Sequence, residues 1–227
     1  MNTQKTSSEY KHTSVLLEEV INLCSPELGG RYLDCTFGGG GISETLLSFK
    51  KTQVLGIDRD KSVIKFAEKL KKKYPDRFIF RNEKFSNLKT CTNNFFDAII
   101  FDLGVSNFQI KDLSRGFSFK SNYSLDMRMG LNKFNALDVI NNLSQQNLKY
   151  ILKFLGEEKD ASKIAKSIVK QRELKKIKNT QDLVKIIKIT KKGNFKNKLD
   201  PSTKSFQALR IFVNKEITEL IEGISLA

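Results

Sequence analysis

Residues 33–43 read LDCTFGGGGIS. Four consecutive glycines follow a short apolar run. Such a stretch is either a tight turn or a place where something approaches the main chain more closely than a side chain permits. The flanks help to decide. RYLDCTF, before and into the glycines, reads as a strand, and Gly41 to Phe49 opens a helix. A strand that turns through glycines into a helix gathers backbone N–H groups at one point.

The same alternation continues downstream. TQVLGID is a strand, KSVIKFAEKLKKK is a helix closed by Pro75, and RFIF is a short strand. FFDAIIFDL is almost wholly apolar, as expected of a strand covered on both faces. Upstream, SVLLEEVINLC is an amphipathic helix carrying Val15, Leu16, Ile21 and Leu23 that ends before Ser25-Pro26. The β-α-β-α-β rhythm predicts an α/β fold, a parallel sheet with helices on both sides, with strands ordered 3-2-1-4.

After Leu103 the rhythm stops. Residues 104–134 are rich in Gly, Ser and Asn, and a loop of that length is usually functional or disordered. Helices follow. ALDVINNL is one. SQQNLKYILKFLG is the next, with Ser144 as N-cap and Leu148, Ile151, Leu152 and Leu155 on one face. A third places Ala161, Ile164, Ala165 and Ile168 inward. TQDLVKIIKI is capped by Thr180, and STKSFQALRIFVNKEITELIEGI reads as a single last helix with Phe206, Leu209, Phe212 and Val213 at helical spacing.

The length of 227 residues suits one large domain, or one domain with an insertion. Apolar residues make up 39%, enough for a core and too many for a disordered chain. No apolar run approaches the ~20 residues of a membrane span, and the N-terminus lacks the apolar stretch of a signal peptide. A cytoplasmic protein is expected. Cys24, Cys35 and Cys91 form no CxxC pair, which suits reduced thiols and predicts no metal site. The net charge is +15, and residues 149–198 hold 16 Lys and Arg against 5 Asp and Glu, or +11 of that total. This concentration points to a polyanion, above all nucleic acid. Composition alone weighs equally a Lys- and Asn-rich bias spread over solvated helix faces.

Three ligands use a glycine loop at a strand–helix turn. A P-loop closes on Gly-Lys-Ser/Thr, whereas Gly41 is followed by Ile42-Ser43. A dinucleotide fingerprint fits Gly38 and Gly40 but has Ser43 at its third glycine. The looser glycine loop of S-adenosylmethionine-dependent methyltransferases remains. Asp58, ending LGID, stands where a carboxylate accepts hydrogen bonds from ribose hydroxyls. A tight turn with Asp58 as a helix cap is the plainer alternative. Asp102 ends the last predicted strand, at the carboxyl edge where open α/β sheets bind ligands. A carboxylate there suits methylation of an exocyclic amine. It accepts the amine N–H, favours the pyramidal nucleophilic form, and relieves the proton afterwards.

Eight blocks, in order, resemble the bacterial ribosomal small-subunit RNA cytosine-N4 methyltransferases: KHTSVLLEEV, YLDCTFGGGGIS, GIDRD, FDLGVS, RGFSF, LDMRM, GEEKDASKIAKSIVKQR and TKSFQALRIFVNKEI. The resemblance implies a Rossmann-like class I methyltransferase sheet with a helical insertion. It implies S-adenosyl-L-methionine as cofactor and the N4 amine of a decoding-region cytidine in 16S ribosomal RNA as target. By the same likeness, Gly40, Gly41, Ile42, Asp58, Phe85, Asp102 and Gln109 match the cofactor-binding positions, and Asp102 is the catalytic candidate. Arg115, Asp126 and Arg128 are candidates either for the RNA side or for internal ion pairs that order the long loop. Lys163, Lys166, Lys170 and Lys175 are candidate RNA contacts.

Some positions depart from the family. Ile42 replaces the usual histidine, Asn107-Phe108 the usual Ser-Pro, and Asp200 a histidine. His12, the one histidine left, is read as structural. The family continues past the last helix into further strands, so the sheet is expected to be incomplete at its C-terminal end, with FFDAIIFDL as an open edge. The expected division is 1–110 for cofactor binding, 111–202 for the basic insertion, and 203–227 for a helix returning to the first domain. The expected partner is 16S ribosomal RNA or the small subunit, with no membrane. A homodimer and a separate polypeptide supplying further strands are additional candidates. Against the active enzyme stand two other classes: a non-catalytic RNA-binding remnant, and an NAD(P)-dependent enzyme, which Ser43 and the basic helices disfavour.

Overall fold

The computed structural model describes residues 16–91, 95–191 and 199–227, with the backbone alone at 90 and 91. The chain divides into two compact units, one running to Gly104 together with Ala227, the other spanning Val105–Leu226.

The first unit runs α1 (Leu17–Cys24), β1 (Gly30–Asp34), α2 (Gly41–Leu47), β2 (Thr52–Ile57), α3 (Ile64–Lys73), β3 (Phe78–Arg81), α4 (Leu88–Cys91) and β4 (Ala98–Ile100). The strands are parallel in the order β3-β2-β1-β4, as the alternation predicts. The core comprises Tyr32, Leu33, Leu46, Leu47, Val54, Ile57, Val63 and Phe78. Gly56 in the middle of β2 makes room for two rings, since a Cβ there would lie 2.9 Å from Phe37 and 3.2 Å from Phe78. Those rings sit 5.5 Å apart between centroids.

Two expectations are corrected. The last strand is shorter than FFDAIIFDL: it pairs only over Ala98–Ile100, and Phe95 is 93% exposed. Asp97 explains the late start, because its side chain rather than a backbone carbonyl accepts the Arg31 N–H at 2.7 Å, although the Asp97 N–H still donates to the Arg31 carbonyl at 2.8 Å. In α1 the partly covered stripe is Leu17, Val20, Ile21 and Cys24, whereas Leu16 and Leu23 are exposed. His12 and Val15 lie outside the described residues.

The second unit holds α5 (Asn107–Lys111), α6 (Ala136–Asn142), α7 (Gln145–Gly156), α8 (Ala161–Leu174), α9 (Thr180–Lys191), α10 (Thr203–Asn214) and α11 (Glu216–Leu226). Its core unites the predicted inward stripes, with Leu148, Ile151, Leu152, Ala161, Ile164, Ala165, Ile168, Phe206, Leu209 and Val213 buried. Helices α7 and α10 cross closely at Gly156, where a Cβ would collide with the Lys204 carbonyl and lie 2.8 Å from Ala208 Cβ. Ser144 caps α7 as expected, accepting the Asn147 N–H. The cap of α9 is Asn179, which accepts the Asp182 N–H at 2.9 Å; Thr180 instead donates its hydroxyl to the Tyr123 carbonyl. The single last helix is two helices, broken at Lys215, which adopts a left-handed φ of 50°.

Residues 104–134 are ordered. Phe117, Leu125, Met127 and Met129 are buried in the helical core, and buried Asn214 on α10 pins the segment. Its amide donates to the Met127 carbonyl at 2.8 Å and accepts the Met129 N–H at 2.8 Å. Among the described residues no helix is long and apolar enough to cross a membrane.

Candidate functional site

The parallel sheet brings three acids to the carboxyl ends of its strands: Asp34 as the last residue of β1, Asp58 after β2 and Asp102 after β4. Main-chain geometry holds them there. Asp58 accepts the Gly38 N–H at 2.8 Å on one carboxylate oxygen and the Asp60 N–H at 2.8 Å on the other. The Asp102 N–H donates to Thr36 Oγ1 at 2.8 Å, which ties the tip of β4 to that of β1.

The glycine run closes this edge. Gly40 has φ +81°, and a Cβ there would come within 2.8 Å of the Phe37 ring. The group that crowds this backbone is therefore the chain's own aromatic, with the loop folded over it. Gly38 turns its N–H to Asp58, so the same loop both packs and binds. Gly41 begins α2, and Ile42 is buried at 5% exposure. An aliphatic side chain there offers no hydrogen bond. Phe85 is buried and meets Phe101 edge-on at 5.4 Å.

Asp34 is a member of this group that the sequence reading passed over. It is 1% exposed and accepts the Ser43 hydroxyl at 2.7 Å and the Thr36 N–H at 3.2 Å. Ser43, the residue that spoils the dinucleotide fingerprint, thus fills its helix–strand gap with a hydroxyl committed to a buried carboxylate. The signal was present: YLD is an apolar strand ending in an acid, just as LGID and IIFD are.

Burial pushes Asp34 up to about 6, and the nearby charges of Asp58 and Asp102 add to the rise while its hydrogen bonds oppose it. Burial likewise raises Asp58 to about 6 against the bonds from Asp60 and Gly38; Asp60 adds to the rise and Arg59 reduces it. Carboxyls raised in this way favour a ligand that brings positive charge. Each Asp58 oxygen carries one of these main-chain bonds and has a second lone pair, enough for vicinal ribose hydroxyls. The donor set therefore fits a nucleoside bearing a cationic centre. Gly40, Gly41, Ile42, Asp58, Phe85 and Asp102 belong to the first unit, and Asp58, Asp102 and the glycine loop gather at one sheet edge.

The other predicted residues belong to the second unit. Gln109, 6% exposed, closes a capping box on α5: its Oε1 accepts the Ser106 N–H at 2.9 Å and its own N–H donates to Ser106 Oγ. Arg128 forms a two-point pair with Asp126, at 2.8 and 2.7 Å, and Arg115 donates to the Arg128 carbonyl at 2.7 Å. Burial works to raise Asp126, but the Arg128 hydrogen bonds outweigh it and hold the carboxyl below its ordinary range. Arg128 and Asp126 form an internal ion pair, while Arg115 holds the loop at a backbone carbonyl. Gly116 makes the arrangement possible, since a Cβ there would lie 2.7 Å from both the Asp126 N and the Ser124 O. Lys166, Lys170 and Lys175 are exposed, and Lys163 pairs with Asp160 at 3.0 Å. The unit also contains an apolar cavity of about 600 Å³, walled by Phe117, Phe119 and Phe206 and bordered by Lys111, Lys120 and Arg210. Among the described residues no cluster of His, Cys, Asp and Glu is arranged to hold a metal ion.

Known proteins match almost the whole chain. The chain is 43% identical over 222 residues to "Ribosomal RNA small subunit methyltransferase H" of Wolbachia sp. subsp. Drosophila simulans (strain wRi), covering 95% of this chain and 75% of that protein. It is 41% identical over 222 residues to the protein of the same name from Ehrlichia ruminantium (strain Welgevonden), covering 95% and 74%. To the one from Rickettsia akari (strain Hartford) it is 41% identical over 210 residues, covering 92% and 68%. The model of the MraW methylase family matches residues 9–227, a span that holds the glycine loop, all three strand-tip acids and the helical unit together. With the family model matching nearly the whole chain and these relatives 41–43% identical to it, the chain belongs to the MraW methylase family.

Proposed function

We propose that this protein transfers a methyl group from S-adenosyl-L-methionine to the N4 amine of a cytidine in the decoding region of 16S ribosomal RNA, in the cytoplasm. The single observation that carries the reading is the row of strand-tip carboxylates, one buried and one half-buried, held against the glycine loop. It sits in a chain whose relatives are named for small-subunit RNA methylation. Bound S-adenosylmethionine supplies an electrophilic methyl group on a positively charged sulfur.

The chain's own residues do the rest. Asp58 would hold the ribose hydroxyls, and the Gly38–Gly41 backbone would hold the cofactor's methionine portion. Phe85 offers an apolar ring to the adenine. Asp102 is exposed at its strand tip, with its backbone fixed by Thr36. Its carboxylate accepts a hydrogen bond from the cytosine amine, which localises the nitrogen lone pair, and it takes the amine proton once the N–C bond has formed. The basic face of the second unit draws in the RNA backbone, and its phenylalanine-walled cavity has room for one nucleoside.

A second reading, RNA binding without turnover, is favoured by Ile42, whose buried aliphatic side chain gives a ligand no hydrogen bond. One experiment separates the two. Purified protein is incubated with radiolabelled S-adenosylmethionine and small subunits, and the RNA is digested for nucleoside analysis. Labelled N4-methylcytidine, lost in Asp102→Ala while the variant stays folded, is the expected result. Cofactor binding by calorimetry with no incorporated label leaves the second reading. No cofactor binding at all removes the proposed activity.

A further inference from the structure

We propose that the outward face of α7 is a stacking platform for unpaired bases of single-stranded RNA, a placement that rests on the RNA reading above. Helix α7 has two unlike stripes. Leu148, Ile151, Leu152 and Gly156 are buried against the rest of the unit. Opposite them Gln146, Lys149, Tyr150, Lys153 and Phe154, spaced i, i+3, i+4, i+7 and i+8, are all exposed. Tyr150 is 61% and Phe154 59% exposed, although both are large rings. They lie 4.5 Å apart between centroids, tilted 41°. Lys153 Nζ sits 5.4 Å from the Phe154 centroid.

Stability does not require this pair. A surface i, i+4 contact adds little to a helix that its buried stripe already holds. Single-stranded RNA does match the face. Every base offers a π surface that stacks on an aromatic side chain, and the phosphates between bases need cations beside the rings. Lys149 and Lys153 supply them on the same stripe. The surrounding unit carries 24 Lys and Arg against 12 Asp and Glu, net +12 of the chain's +15. Two rings set among lysines form a narrow strip with a polar margin, unlike the broad apolar patch on which a folded protein docks.

The test measures binding of the full chain to a labelled unstructured RNA of about 15 nucleotides and to an RNA duplex of equal charge. Y150A/F154A should weaken single-strand binding by about tenfold or more and leave duplex binding within about twofold. Y150L/F154L, which keeps apolar bulk and removes the π faces, should fail in the same way. Because the chain contains no tryptophan, Y150W places a unique fluorophore on the platform. Its emission should be quenched by the single strand, with affinity kept. Unchanged calorimetric binding of S-adenosylmethionine and an unchanged helical circular dichroism signal confirm that the variants fold.

Affinity restored by the leucine pair overturns the platform, because apolar contact alone then suffices. So does an equal loss for duplex and single strand, or a change in oligomeric state with RNA affinity intact. A wild-type chain that binds RNA as tightly as its alanine pair overturns the platform alone. One that binds no RNA overturns the RNA reading and the platform together.

Discussion

The two units handle charge in opposite ways. The sheet unit carries three of the fifteen net positive charges and puts acids inside: Asp34 at 1% exposure and Asp58 behind the glycine loop. The helical unit carries the other twelve; none of its described lysines and arginines is buried, although Glu158, paired with Lys191, and Glu219 are, and its inward stripes are mostly aliphatic. Burying an acid costs solvation, and a protein retains it where a ligand recovers that cost. Lysines on a solvated face cost nothing to fold and attract a polyanion from a distance. The comparison agrees with the proposal of a small cationic ligand at the sheet edge and a long anionic one on the helical faces.

The largest effect should come from Asp58→Ala. It removes the proposed ribose acceptor and the bond that holds Gly38. A loss of at least about 100-fold in S-adenosylmethionine affinity is expected, from charge-assisted bonds worth ~1.5–3 kcal/mol each, with RNA affinity within about twofold. Calorimetry beside filter binding checks it, and coupled losses in both assays would dissolve the division of labour. Gly156→Val should come next. Forcing α7 from α10 costs ~3 kcal/mol by overpacking, seen as a lower denaturant midpoint for the helical signal. Cofactor binding should survive in the folded fraction.

The third test uses acid, where the units part again. Asp34 and Asp58 have folded values raised from 3.8 to about 6. Their folded state holds protons more tightly, so the stability they contribute is fully present below about pH 4 and is lost as pH rises through 6. Asp126 and Asp200 are lowered: burial pushes both upward, and hydrogen bonds from Arg128 and from Ser202 and Lys188 overcome it. Their contribution is present above 3.8 and disappears as pH falls through the lowered values. Between pH 7 and 5 the sheet unit should gain stability while these groups leave the helical unit unaffected, which hydrogen exchange followed peptide by peptide can resolve. Protonation of Asp58 removes the proposed ribose acceptor, so S-adenosylmethionine affinity should fall by about tenfold per pH unit below 6.

Smaller effects test the surface. Lys166→Ala with Lys170→Ala should reduce the slope of log affinity against log salt by about 1.4 for a single strand and leave the cofactor untouched. Arg128→Ala, which breaks a pair with side chains 38% and 30% exposed, should cost at most ~1 kcal/mol. A loss of RNA binding at unchanged stability would move that arginine from the loop-ordering role to the RNA side.

Much of this was legible before any coordinates. Period-two and period-3.6 patterns are local, and so are caps such as Ser144; they specify strands and helices from a few neighbouring residues. Parallel alternation then leaves few sheet orders, and 3-2-1-4 is the observed one. The glycine loop, Asp58 and Asp102 were visible because each sits at a fixed distance from a strand end. The length of the last strand was not visible. Its start turns on Asp97 reaching Arg31, 66 residues away. Nor was the break at Lys215, which helical periodicity runs straight through.

The sequence alone determined which elements form and which acids stand at strand tips, because those properties depend on a residue and its near neighbours. Tertiary structure alone decided which of the tips are buried, that Ser43 and Thr36 serve Asp34 and Asp102, that Gln109 is spent on a cap, and that Asn214 anchors a loop more than 80 residues upstream. Burial and hydrogen-bond partnership are properties of what the whole chain brings near a group, and no window of neighbours contains them.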